Sequence, residues 1–237
     1  PWNVPLSSAG AKIAPALAMG NSMIMKPASI TPITTLELAK LAKEAGVPDG
    51  VFNVVTGPGP TVGSALAAHP EVGKISLTGS TEVGREIYRL AANTIKKITL
   101  ELGGKSPLIV LDDADPEVAI NTGLSAFLFH QGQICLSGTR LFVPRKMQEA
   151  LVSGMIEKIK LLKIGDPLDP LTDQGPLASQ AQLNTVTRYV ETGKKEGAAL
   201  ACGGNRLSGP EYDRGFFFEP TIFMNCNNRM TQVREEI

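Results

Sequence analysis

Short apolar runs alternate along this chain with longer stretches whose apolar residues recur every three or four positions. Met23–Met25 is such a run and predicts a buried strand. Thr31-Pro32 reads as an N-cap followed by a proline in the first turn. It opens a helix to about Ala45, with Leu36, Leu38, Ala39, Leu41 and Ala42 at near-helical spacing and Gly46 as its stop. Val51–Val55 predicts the next strand. The turn Thr56-Gly57-Pro58-Gly59-Pro60 then leads to a helix ending near Ala68. Lys74–Leu77 predicts a strand, Thr81–Asn93 a helix and Lys97–Leu100 a strand. Strand and helix thus alternate three times before a final strand. That pattern implies a parallel sheet with helices on both faces and with ligands at the C-terminal edge of its strands.

After Leu102-Gly103-Gly104 the pattern restarts. Leu108–Leu111 predicts a strand. Asp115-Pro116-Glu117 is a second cap-and-proline signal, for a helix to about Phe129. Leu141–Val143 predicts a strand and Lys146–Leu162 a long amphipathic helix. Residues 165–176 read as loop, Gln180–Glu196 as helix, and 203–220 as turn-rich chain. The expected fold class is α/β in two domains, 1–103 and 104–237.

Composition narrows the function classes. Among 237 residues, 43% are hydrophobic and 19% charged, as in ordinary globular domains, and 23 basic residues balance 23 acidic ones. No long like-charge run calls for nucleic acid or a membrane surface. No apolar run is long enough to span a bilayer. Three scattered cysteines and two histidines make neither a disulfide framework nor a metal site, so no metal is expected. That cysteine usage leads to a cytoplasmic expectation.

The candidate chemistry is local. Cys135 lies in HQGQICLSGTR (130–140), among small and polar neighbours that let a substrate approach. A thiolate attacks carbonyl carbon well, but a free cysteine is more often buried and inert, so this residue alone decides nothing. Glu101, in LELGG (100–104), stands at a strand end where a carboxylate serves as a general base in a partly apolar setting, or is merely an exposed acid. GSTEVG (79–84), between strand and helix, offers free backbone N–H groups to a phosphate, as any tight turn of this kind does. Gly57-Pro58-Gly59 with Gly63 has one residue too many for the dinucleotide fingerprint and is not read as one. Asn3 offers a side-chain N–H to an oxyanion, or is a turn residue. His130 is read as a helix-end packing residue.

PWNVP (1–5), MKPAS (25–29), LTGSTEVG (77–84), LELGGKSP (100–107), GQIC (132–135) and REEI (234–237) together resemble the aldehyde dehydrogenase superfamily, in its motif order and across the whole chain. The resemblance implies a Rossmann-like cofactor domain (1–103) followed by an α/β catalytic domain (104–237), incomplete at both ends. It implies that Cys135 attacks an aldehyde to give a thiohemiacetal and then a thioester. The Asn3 amide and the Cys135 backbone N–H would hold the oxyanion, and Glu101 would activate the hydrolytic water. NAD or NADP would be bound by Lys26, Ser29, Gly79, Ser80, Gly84, Leu102 and Glu236. Many NAD⁺-using members carry a glutamate where Ser29 stands, so NADP⁺ is expected to be at least tolerated. Members that pass the acyl group to coenzyme A typically lack Glu101, which favours hydrolysis over that alternative. The expected partner is a small-molecule aldehyde. The full-length protein is expected to be a homo-oligomer, dimer or tetramer, and this chain a partial and inactive segment of it.

Overall fold

The computed structural model describes all residues, Pro1–Ile237. The chain divides into two compact units, Pro1–Gly103 and Gly104–Ile237.

The first unit begins with a helix that the hydrophobic pattern does not announce, α1 (Pro5–Ala18). Ser7, Ser8, Gly10 and Pro15 are poor helix formers, and they hide it. It is anchored by Ala9 and Ile13, which lie four apart and are both buried. β1 (Met23–Met25), α2 (Ile33–Glu44) and β2 (Phe52–Val54) follow, with β1 and β2 paired in parallel. The structure corrects the start of α2. Pro32 occupies the cap position, no side chain caps the helix, and the Thr31 hydroxyl is buried without a partner. A wide π-type turn over Gly59–Gly63 runs into the short α3 (Ser64–Ala68).

β3 (Lys74–Gly79), α4 (Thr81–Ala91) and β4 (Lys97–Leu102) form a right-sized crossover unit, with β3 and β4 parallel from Lys74↔Lys97 to Gly79↔Leu102. Alternation along β4 sends Ile98, Leu100 and Leu102 to one face and exposes Lys97, Thr99 and Glu101 on the other. α4 packs on the apolar face through Gly84. A Cβ there would lie 3.1 Å from the Leu102 side chain and 3.2 Å from that of Leu100, so any larger residue would require both leucines to shift.

In the second unit, β5 (Pro107–Ile109) and β6 (Arg140–Phe142) pair in parallel around the crossover helix α5 (Pro116–Leu128). Asp115 caps α5 as its sequence signal predicts, accepting from the Val118 N–H at 3.0 Å. α6 (Arg145–Ile159) packs on α5. Their contact builds the core of Val110, Ala119, Ile120, Leu124, Leu151, Met155 and Ile159. α7 (Gln180–Lys195) is capped by Ser179, and β7 (Ala199–Cys202) pairs antiparallel with β8 (Ile222–Met224) before the short α8 (Thr231–Arg234). The alternation thus predicted parallel pairing correctly where helices intervene. It did not reveal that the strands hydrogen-bond two by two, nor the β7–β8 pair. No helix is long and apolar enough to cross a membrane.

Candidate active site

In the first unit, the strand ends gather most of the residues singled out in the sequence. Lys26 follows β1 directly. Its ammonium donates to the carbonyls of Pro27 (3.0 Å) and Gly57 (3.2 Å), and the Ser29 hydroxyl donates to the same Gly57 carbonyl (3.2 Å). A pocket of about 190 Å³ opens here between Pro27, Ala28, Ser29, Pro32, Thr56, Gly57 and Pro58. No carboxylate lines it. An ammonium has three N–H groups, so Lys26 keeps one to offer.

Gly79 and Ser80 end β3 and open α4. The Ser80 hydroxyl caps the helix, accepting from Val83 N–H at 3.3 Å, and Gly79 pairs in register with Leu102. The Glu82 carboxyl at this helix start is held below its usual range by hydrogen bonds from its own backbone N–H and from Ser80. The positive end of the helix dipole favours an anion at this turn, although the Glu82, Val83 and Gly84 N–H groups are already engaged, by the Glu82 carboxyl, the Ser80 hydroxyl and the Ser80 carbonyl. Gly79, Ser80, Gly84 and Leu102 therefore form one cluster at the C-terminal edge of β3 and β4.

Glu101 stands on the opposite face of β4, across from Thr78, and is exposed. The first unit by itself does not supply the partly apolar setting expected of a base. It supplies a neighbour instead. Lys12 of α1 donates to the Ser76 hydroxyl at 2.8 Å, on the face that Glu101 shares. Burial pushes the Lys12 ammonium below its ordinary range; the Glu101 charge opposes that shift and Lys74 adds to it. The sequence reading missed Lys12. Its one signal was a lone cation in an otherwise uncharged helix. Asn3 is half-buried just before the same helix and engaged in an interaction of its own.

Cys135 and Glu236 belong to the second unit. α5 stops at Leu128, and His130 (φ 55°), Gln131 (φ 55°) and Gly132 (φ 73°) then turn the chain through three successive left-handed conformations. For the two that are not glycine this costs about 1–2 kcal/mol each. His130 is exposed and turns the backbone, and so is not the packing residue expected. The turn is held by Gln133, whose backbone N–H and side-chain Nε2 both donate to the His130 carbonyl at 3.1 Å. Cys135 follows, half-buried and free of any disulfide.

A cavity of about 590 Å³ lies beside this turn. Gln133, Ser137, Arg140, Lys105 and Glu236 line it, whereas Cys135 does not. The buried Ser137 hydroxyl has no partner. Arg140 Nε donates to the Lys105 carbonyl at 2.6 Å. Burial, with Arg140 nearby, lowers the Lys105 ammonium to about 8; Glu236 and Cys226 pull it back up. Glu236 itself is exposed. No group of three or more His, Cys, Asp or Glu side chains converges as a metal site.

A cysteine shortly after a strained turn, an acid at a strand end and two features at strand edges thus occur in one chain, and comparison with known proteins places it. The Aldehyde dehydrogenase family profile matches residues 1–237. This chain belongs to that family. It is 50% identical over 237 residues to betaine aldehyde dehydrogenase of Bacillus subtilis (strain 168), covering all of this chain and 48% of that protein. The crystal structure of betaine aldehyde dehydrogenase from Staphylococcus aureus in complex with NAD⁺ superposes with a TM-score of 0.97 at 42% identity, over all of this chain and 47% of that one. A mutant aldehyde dehydrogenase from Bacillus cereus gives 0.95 at 45% identity, over all of this chain and 47% of that one. The chain spans about half the length of the curated relatives it matches. Its α/β fold, with parallel strand pairs, is that of aldehyde dehydrogenases.

Proposed function

We propose that the protein oxidises an aldehyde to the carboxylic acid with NAD(P)⁺, residues 1–103 belonging to the cofactor domain and 104–237 to the catalytic domain. The observation that carries this reading is the placement of Cys135 immediately after a strained, clamped turn in a chain of this family. The Cys135 thiolate attacks the carbonyl carbon to form a thiohemiacetal. The Asn3 amide and the Cys135 backbone N–H receive the oxyanion. The nicotinamide, when bound, accepts the hydride that leaves this carbon, and a thioester remains on Cys135. Glu101 takes a proton from water, whose oxygen attacks the thioester and releases the acid and the thiolate.

The residues present fit a dinucleotide. Ser29 lines a pocket without a carboxylate, and Lys26 donates to the Gly57 carbonyl of its wall, an arrangement suited to the adenosine end, while the α4 N-terminus with Gly79, Ser80 and Gly84 suits the diphosphate. Leu102 lies beside that turn, and Glu236 is assigned to the nicotinamide ribose.

An aldehyde panel with NAD⁺ and NADP⁺ in parallel, with and without coenzyme A, tests the proposal. The names of the relatives make betaine aldehyde the first substrate to try. Cofactor-dependent acid formation without coenzyme A supports it, with Cys135→Ser lowering turnover by about 10³-fold or more. Acid formation that needs no nicotinamide cofactor, or a Cys135→Ser enzyme of wild-type rate, overturns it.

A further inference from the structure

We infer that Gln133 is a positioning residue for Cys135: its buried carboxamide clamps the left-handed turn before the nucleophile to the loop at Ala178. The inference rests on the reading of Cys135 given above. Two of the three left-handed residues, His130 and Gln131, are not glycine, so the turn does not hold itself. Gln133 is only 6% exposed, and its two ends reach different segments. Nε2 donates to the His130 carbonyl at 3.1 Å, and Oε1 accepts from the Ala178 N–H at 3.0 Å.

The Ala178 loop is itself anchored. Leu177 N–H donates to the Phe216 carbonyl at 3.0 Å, and the Leu177 side chain is buried. Gln131 adds a lesser tie: with its amide turned to satisfy its neighbours, it accepts from the Gly175 N–H at 3.1 Å. One side chain must therefore donate at one end and accept at the other. A carboxamide does both, whereas an ionised carboxylate only accepts. Cys135 lies two residues on, and Ser137 N–H donating to the Ile134 carbonyl at 3.0 Å closes the next turn around it. Any relaxation at residue 133 thus passes directly to the thiol.

The test compares kcat, KM, melting temperature and the rate of Cys135 alkylation by iodoacetamide across variants of the enzyme. Gln133→Ala is expected to lower kcat and the alkylation rate about 10- to 100-fold with KM within about twofold, as a small misplacement of a reacting group does. Gln133→Glu, of the same size, lowers both as well, because a carboxylate faces the His130 carbonyl. His130→Gly added to either variant recovers part of both rates, since glycine adopts positive φ without strain. Ile159→Val, in the core away from the turn, lowers the melting temperature while leaving both rates unchanged. If Gln133→Ala does not fold, Gln133→Glu with and without His130→Gly carries the same comparison. Wild-type rates in the Gln133 variants, or no recovery on adding His130→Gly, overturn the clamp. An active Cys135→Ser enzyme instead overturns the nucleophile reading and leaves the clamp without a purpose.

Discussion

Ser29 shows how much one side chain decides. Its hydroxyl shares the Gly57 carbonyl with the Lys26 ammonium, at the mouth of a pocket that holds no carboxylate. A dianionic 2′-phosphate placed there meets a cation and no like charge. Replacing Ser29 by Glu introduces a negative charge that repels that phosphate and accepts from a free ribose hydroxyl. We expect Ser29→Glu to lower kcat/KM for NADP⁺ relative to NAD⁺ about 10- to 100-fold, or one to two steps of about 1.4 kcal/mol. Steady-state kinetics with both cofactors measure this. A wild-type NADP⁺ efficiency a thousandfold below that for NAD⁺ contradicts it.

At the same scale, the sequence singled out Cys135, Glu101 and Asn3 as candidates through their motifs. It did not expose Lys12, whose meaning comes from the neighbouring strand. Nor did it expose the conformation of His130 and Gln131. A glycine at 132 announces a turn, but nothing in a His-Gln pair demands positive φ, which the buried Gln133 amide imposes from outside.

Among the elements, legibility followed the strength of local signals. The α5 cap was readable because Asp115, Pro116 and Glu117 each favour the same helix start, and the structure shows Asp115 bonded to Val118. Asp115→Ala should therefore destabilise the protein by about 1 kcal/mol, and Asp115→Ser by much less. Urea denaturation checks both, and an unchanged midpoint in Asp115→Ala counts against the cap. Thr31 looked equally suited, yet Pro32 holds the cap position and the hydroxyl is stranded in the interior. Pro32 already has helical dihedrals (φ −82°, ψ −23°), but the hydrogen-bonded helix begins at Ile33 and the Thr31 hydroxyl caps none of its N–H groups. β7 and β8 escaped notice because their pairing joins residues far apart in a glycine-rich stretch, where alternation is too short to read.

Across the molecule as a whole, the division after Gly103 sorts the chemistry. Glu101, Asn3 and most of the residues proposed to contact the cofactor lie in one unit, Cys135 and Glu236 in the other. Stability carries a signature of the second unit. Lys105 falls from 10.5 to about 8 because burial and Arg140 disfavour its charge. Between these values the unfolded chain binds a proton that the folded chain does not, so stability rises with pH across this window, by at most about 1.4 kcal/mol per pH unit. Below about pH 7 both states are protonated and the contribution is flat. The difference in unfolding free energy between wild type and Lys105→Met should follow that course in urea melts from pH 6 to 10.5. Parallel curves contradict it.

The central claim is that Cys135 carries the acyl group and that Glu101 helps water remove it. Mass spectrometry of the Glu101→Gln enzyme, quenched after mixing with aldehyde and NAD⁺, tests this most directly. The account predicts a near-stoichiometric acyl group on the peptide containing Cys135, because the thioester forms but is not hydrolysed. Acylation of Cys202 or Cys226 instead, or continued turnover with Cys135 unmodified, contradicts it.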